Sequence, residues 1–421
     1  MKQSFYNHTF DNGLVLVAER MPSLESAAFT FLVPAGSTND PADRSGLSTM
    51  TCEMVLRGAG SRDSRQFIDD LENLGIQRNE SVSASHSSFS GATLASNLPA
   101  ALSIYADLLR RPHLPADQLE AGKLVAVQEL RSLEDDPSHK VMLELRRRHY
   151  PDPWGRPSEG TLEAIEAITN DEIHAQFKSC YRPNGAILGV AGNIDWPLLK
   201  DLVGQLLGDW KSVEAKPVAT GPRGPKNEHL SHESNQTQIG IAYASVPFRD
   251  PNYINASAAV GVLSGGMSAR LFTEVREKRG LCYSVYASYH TLRDHACVLC
   301  YAGTSVERAQ ETLDVTMSEL DRLSAGIDST ELQRLKARVK SSLIMQQESS
   351  SSRSGALARE WYHLGRVRTL EEIGELVDSL TTESINSYLA ANPPKDFTVL
   401  TLGPSPLNVP GAGSPSASAS A

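Results

Sequence analysis

Residues 211–228, KSVEAKPVATGPRGPKNE, carry three prolines, two glycines and almost no large apolar side chain. No packed element can run through such a stretch, so it reads as a linker. What precedes it is a strand pair around the turn Asp11-Asn12-Gly13, the β-rich AAFTFLVPAG, and helical patterns in SGLSTMTCEMVLR, SRQFIDDLENLG, PAALSIYADLLRR and the stretch from Pro115 to Glu134. The order returns after it. A strand QTQIGIAYASV, a helix around NYINASAAVGVLSG, strands CYSVYASYH and HACVLCYAG, helices over 306–324 and 329–348, and a last strand FTVLTLG follow. Strands and helices are mixed rather than regularly alternating, which predicts an α+β fold of two similar lobes, each a mostly antiparallel sheet packed with helices. The expected boundaries are 1–210, the linker 211–228, and 229–405. A tail at 406–421, ending GAGSPSASASA, is too poor in apolar residues to order.

The 421 residues, 40% of them hydrophobic, are ample for two domains of about two hundred residues each. Forty basic against fifty acidic side chains give a net charge of −10. That charge disfavours both a nucleic-acid backbone and an anionic membrane surface as partners. No apolar run is long enough to span a bilayer, and the start MKQSFYNHTFDNGL lacks a signal-peptide pattern, so a cytoplasmic location is expected. Five scattered cysteines do not form a disulfide framework, and Cys297 and Cys300 lie in what reads as a buried strand.

Several segments, in shared order and spacing, resemble the pitrilysin family of zinc peptidases, the inverzincins, which includes the mitochondrial processing peptidase subunits and the insulin-degrading enzymes. They are FDNGLVLVAE, PAGSTNDPADRSGLS, VQELRSLEDDP, PWGRPSEGTLEAIEAIT and YRPNGAILGVAGNID in the first lobe, and LSGGMSARLFTEVREKRGLCYSVYA in the second. The resemblance runs from about Phe10 to about Gly403. In that family two His ligands and a Glu base of H-x-x-E-H share one helix face and converge on zinc. Here the aligned segment places Thr49 and Glu53 at the His positions and Cys52 at the Glu position. The family's third ligand falls at Glu129, and an acidic residue usual earlier in that helix is replaced by Gly122. Thr49, Cys52 and Glu53 are thus degenerate motif positions, Glu129 is a vestigial ligand, and no metal is expected in this chain.

Arg276 and Tyr283 match the family's Arg and Tyr pair at the usual separation. The resemblance implies that they bind the substrate backbone and steady the oxyanion at the scissile carbonyl, for which a permanent forked cation and an oriented phenol are suited. SVSASHSSFSGATL falls where family members carry an edge strand beside the active site. Gly265 and Gly266 lack the strand and Lys-Ser/Thr context of a phosphate loop, and His229 and His232 form no ligand pair with the spacing of a helical zinc motif. The expectation is a non-catalytic subunit of a heteromeric zinc peptidase: a homologous partner supplies H-x-x-E-H and zinc, while this chain supplies Arg276, Tyr283 and half of a chamber enclosing an extended peptide. The alternatives are a structural subunit, like the core subunits of the respiratory bc1 complex, and a stand-alone peptide-binding protein.

Overall fold

A computed structural model describes residues 3–346, 348–410 and 416–418. The fold is α+β, as expected, and divides into two compact units, each built on a six-stranded sheet.

The first sheet contains β1 (Ser4–Thr9), β2 (Val15–Arg20), β3 (Ser26–Val33), β4 (Gln77–Val82), β5 (Ser87–Leu94) and β6 (Ile187–Gly192), in the order β1-β2-β6-β3-β5-β4. Only β2 and β6 pair in parallel. The Asp11-Asn12-Gly13 turn forms as read, with Gly13 at φ 88° where a side chain would be strained. Strict alternation in β3 and β5 sends Phe29, Phe31 and Phe89 to one face, where they bury completely with Met50, Met54 and Tyr105.

The second sheet contains β7 (Asn227–Ser231), β8 (Gln236–Ser245), β9 (Cys282–Thr291), β10 (Ala296–Ser305), β11 (Thr398–Gly403) and β12 (Ser416–Ser418), in the order β12-β7-β11-β8-β10-β9. From β7 to β9 it repeats the plan of the first, although β12 runs parallel to β7 whereas β1 runs antiparallel to β2. β7 and β11 are parallel like β2 and β6, and β11, β8, β10 and β9 follow antiparallel like β6, β3, β5 and β4. Of the tail expected to lack order, 411–415 and 419–421 lie outside the described residues, while Ser416–Ser418 pair with β7. Asn227 and Glu228, read as linker, begin β7.

The units are not the contiguous lobes expected. The first comprises residues up to 131, 156–219 and 344–369, and the second 132–155, 220–343 and 370 onward. The Pro137–His149 helix therefore packs on the second sheet, where Leu145 and Val141 lie over Gly240. The Ser350–Leu364 helix packs on the first, against Gly189. A methyl group added at Gly189 would run into the Ser354 carbonyl oxygen, so glycine permits this close approach. A buried ion pair seats the same helix: Arg353 Nε donates to Glu19 Oε2 at 2.6 Å, and Gln3 donates to the other carboxylate oxygen at 2.7 Å. An amphipathic pattern specifies that a helix covers apolar surface but not which of two similar sheets provides it.

Candidate functional site

The helix Leu47–Val55 carries Thr49, Cys52 and Glu53, and Asp40 sets its start. The carboxylate of Asp40 accepts from the backbone N–H groups of Gly46 and Ser48, each at 2.9 Å, and from the Ser48 hydroxyl. Burial pushes the Asp40 carboxyl up to about 6 despite those donors.

Each motif position is committed elsewhere. Thr49 donates its hydroxyl to the Ser158 carbonyl at 2.5 Å. Cys52 is 5% exposed, and burial, reinforced by Glu80, Glu53 and Glu129, pushes its thiol far above the ordinary range. Glu53 is paired with Arg57 one turn later at 2.7 Å. Glu129 lies on the Leu119–Glu134 helix, its carboxyl raised by burial and by the neighbouring Glu53 and Glu159. Gly122 of that helix faces the motif helix closely: a Cβ there would stand 3.1 Å from Met54 Sδ and 3.6 Å from Arg57 Nε. Met54, Met50 and Arg57 thus line the space beside Gly122.

Zinc requires deprotonated or neutral-imidazole donors converging on one point. A protonated buried thiol, a hydroxyl bound to a carbonyl and a carboxylate neutralised by arginine do not fit that ion. Among the described residues no group of three His, Cys, Asp or Glu side chains is placed to hold a metal.

The second unit brings Arg276 and Tyr283 together. A turn of π-helix, Phe272–Glu277, carries Arg276, and Gly280 at φ 57° ends the turn before β9 begins at Cys282. The guanidinium carbon of Arg276 lies 4.8 Å from the Phe272 ring centroid and 4.8 Å from that of Tyr283. This double cation–π contact holds the charge between two rings. Tyr283 is 84% exposed, so its packing on a core is excluded and its hydroxyl is presented outward. Glu274 braces the turn, accepting from Lys278 and Arg279 at 2.7 Å each, which lowers its carboxyl below the usual range. Cys282, beside the pair, has its thiol raised to about 11 by burial, with Arg276 opposing.

Two members of these sites escaped sequence reasoning. Phe272 stands four residues before Arg276, and Arg57 four after Glu53, spacings that put both pairs on one helix face. The segment SVSASHSSFSGATL is a hairpin rather than one edge strand: Ser87–Leu94 is the interior β5, and the edge is β4. The remaining candidates are structural. Cys297 donates to Tyr150 at 3.1 Å while Cys300 enters the core of the second unit, so the two thiols face opposite sides of β10. His229 pairs with Thr401 at 2.8 Å, and a side chain at Gly265 would collide with the Arg338 guanidinium.

Two six-stranded mixed sheets, each packed with helices, define a peptidase-like class of fold. The sequence matches the family model described as Insulinase (Peptidase family M16) over 15–161 and the Peptidase M16 inactive domain over 167–339. The chain belongs to the M16 (insulinase/pitrilysin) peptidase family. It is 28% identical over 406 residues to the "uncharacterized zinc protease YmxG" of Bacillus subtilis, covering 94% of this chain and 98% of that protein. An "uncharacterized zinc protease" of Mycobacterium bovis is 26% identical, over 94% of this chain and 92% of that protein. Among solved structures, a peptidase M16 inactive domain from Pseudomonas fluorescens superposes with a TM-score of 0.88 at 22% identity, covering 97% of this chain and all of that one. A chain of Complex III2 from Candida albicans superposes at 0.81 and 18% identity, over 95% of this chain and 96% of that one. No helix among the described residues is long and apolar enough to cross a membrane.

Proposed function

We propose that this chain is the non-catalytic subunit of a two-chain M16 metallopeptidase, contributing Arg276 and Tyr283 to peptide hydrolysis carried out at a homologous partner's H-x-x-E-H centre. What supports this is the contrast between its two halves. The motif helix has exchanged ligands and base for Thr49, Cys52 and an arginine-paired Glu53, whereas Arg276 is held between two rings beside an exposed phenol. The zinc belongs to the partner, and the donors of this chain are left to act on substrate.

Arg276 presents N–H donors that cannot lose their charge, and Tyr283 presents one O–H. Aimed at a peptide carbonyl, they hold the extended substrate. As that carbonyl oxygen gains negative charge their hydrogen bonds strengthen, which is the differential binding that lowers a barrier. Neither residue needs to transfer a proton.

The test is reconstitution with a homologous chain bearing an intact motif. The isolated chain should carry no stoichiometric zinc by elemental analysis and cleave no peptide. In the complex, Arg276→Ala or Tyr283→Phe should leave assembly intact and lower kcat by on the order of a hundredfold, about 3 kcal/mol. One tightly held zinc per isolated chain, removed by chelator with loss of peptidase activity, contradicts the proposal. Unchanged kcat and KM in both variants would instead leave a structural subunit.

A further inference from the structure

One equivalent row of the two sheets is filled differently. In the second unit Gly240 of β8, Tyr301 of β10 and Tyr286 of the edge strand β9 are cross-strand neighbours, and all three face the Pro137–His149 helix. The two tyrosine rings lie 5.2 Å apart, and Tyr301 donates its hydroxyl to Gln238 Oε1 at 2.6 Å in a buried bond. Together they fill the angle between sheet and helix.

Matching the strands by pairing order sets Thr30 of β3 opposite Ser90 of β5, and Ser90 opposite Asn79 of the edge strand β4, in the equivalent row of the first unit. Thr30 faces the Ser350–Leu364 helix, because its hydroxyl meets that of Ser354 at 3.1 Å. Ser90 and Asn79 therefore stand where Tyr301 and Tyr286 stand in the other sheet. Beside Ser90 and Asn79 lies a cavity of about 400 Å³, lined by Thr30, Asn79, Ser88, Ser90, Ser354 and Gly355 among others. That is within the size range of small-ligand pockets.

The lining is rich in hydroxyls and also includes Phe29, Gln77 and Arg78. The neighbouring row moves the polar acceptor outward as well: Gln238-Gly303-Ser284 in the second sheet becomes Ala28-Ala92-Gln77 in the first, so a glutamine amide now sits on the edge strand. An amide of this kind already accepts a phenol in the second unit. Among the described residues β4 is the last strand of its sheet, and no strand pairs with its outer edge.

We propose that this cavity is a recognition pocket for an aromatic side chain, tyrosine foremost, of an extended peptide lying along β4. The incoming ring takes the place that the second unit fills with its own. That the ring arrives on a peptide rests on the proposed peptidase role, but the pocket does not depend on Arg276, on zinc or on turnover.

The test uses the purified full chain alone and two blocked pentapeptides, Ac-Thr-Thr-Tyr-Thr-Thr-NH2 and its Tyr→Ala counterpart, titrated by calorimetry or by NMR. The tyrosine peptide should bind at least about tenfold more tightly, a difference of about 1.4 kcal/mol. Ser90→Tyr, which rebuilds the filling of the second unit, should abolish that preference without lowering the melting temperature. Asn79→Tyr, on the edge strand, does the same should Ser90→Tyr fail to fold. Equal affinity of the wild-type chain for the two peptides, binding of neither, or a preference that survives in a folded Ser90→Tyr or Asn79→Tyr chain overturns the proposal. Because no partner and no catalysis enter, such a failure is separable from failure of the subunit role, which is read from kcat of the reconstituted complex.

Discussion

Glu19 and Arg353 offer a sharp test of how the second half of the chain is tied to the first sheet. Both side chains are 5% exposed, their closest atoms are 2.6 Å apart, and Arg353 also lies near the Phe5 ring, 5.9 Å from its centroid. A pair of unit charges about 4 Å apart interacts by roughly 4 kcal/mol at an effective dielectric near 20. Desolvation opposes most of that, so the net contribution of the intact pair is small. Removing one partner is different, because it leaves a buried charge without compensation. Glu19→Ala should therefore destabilise the first unit by ~3–5 kcal/mol, whereas the apolar double replacement Glu19→Leu with Arg353→Met should be neutral or stabilising. Urea unfolding followed through Trp361, on the same helix as Arg353, gives both numbers. A single replacement that costs under ~1 kcal/mol would refute the burial of this pair, and with it the docking of the 350–364 helix on the first sheet.

Acid should weaken the second unit through two histidines. Burial lowers His149 and His290 from 6.5 to about 4, so stability is present above pH 6.5 and is lost as pH falls toward 4. His290→Asn should flatten the fall of melting temperature over that interval, and an unchanged pH profile would count against it. Gly189→Ala, which drives a methyl group into the Ser354 carbonyl, should cost ~1–3 kcal/mol by the same urea assay, while Gly374→Ala, inside the Leu370–Ser379 helix with open space at its Cβ, should stabilise by about 0.5–1 kcal/mol. Limited proteolysis should nick first within 211–226, which is largely exposed and outside any helix or strand, and early cuts inside either sheet would contradict the assignment.

Much of the site could be read from local spacing. Thr49, Cys52 and Glu53 could be assigned to one helix face from their separations, and the Arg57 partner of Glu53 is implicit in an i, i+4 pair. The fate of each group was not legible there. That Cys52 would be desolvated beside three carboxylates, or that Arg276 would lie between Phe272 and Tyr283, depends on chain segments brought together in space. The π-turn matters as well, since hydrogen bonding from Lys278 N–H back to the Thr273 carbonyl cannot be inferred from a pattern that looks α-helical.

The sequence by itself determined the α+β class, the repeat of element order and the hairpin at Asn12-Gly13, because alternation, helical periodicity and turn chemistry act over a few residues. It also singled out Thr49, Cys52 and Glu53 as the residues standing where the family resemblance expects ligands and base, since ligands are a matter of residue identity. Only the tertiary structure decided which sheet each amphipathic helix covers, and so sent 132–155 to the second unit and 344–369 to the first. Burial of apolar area is non-directional: two similar sheets compete for the same helix, and the outcome turns on close-packing glycines such as Gly189 and Gly240 and on a single buried ion pair.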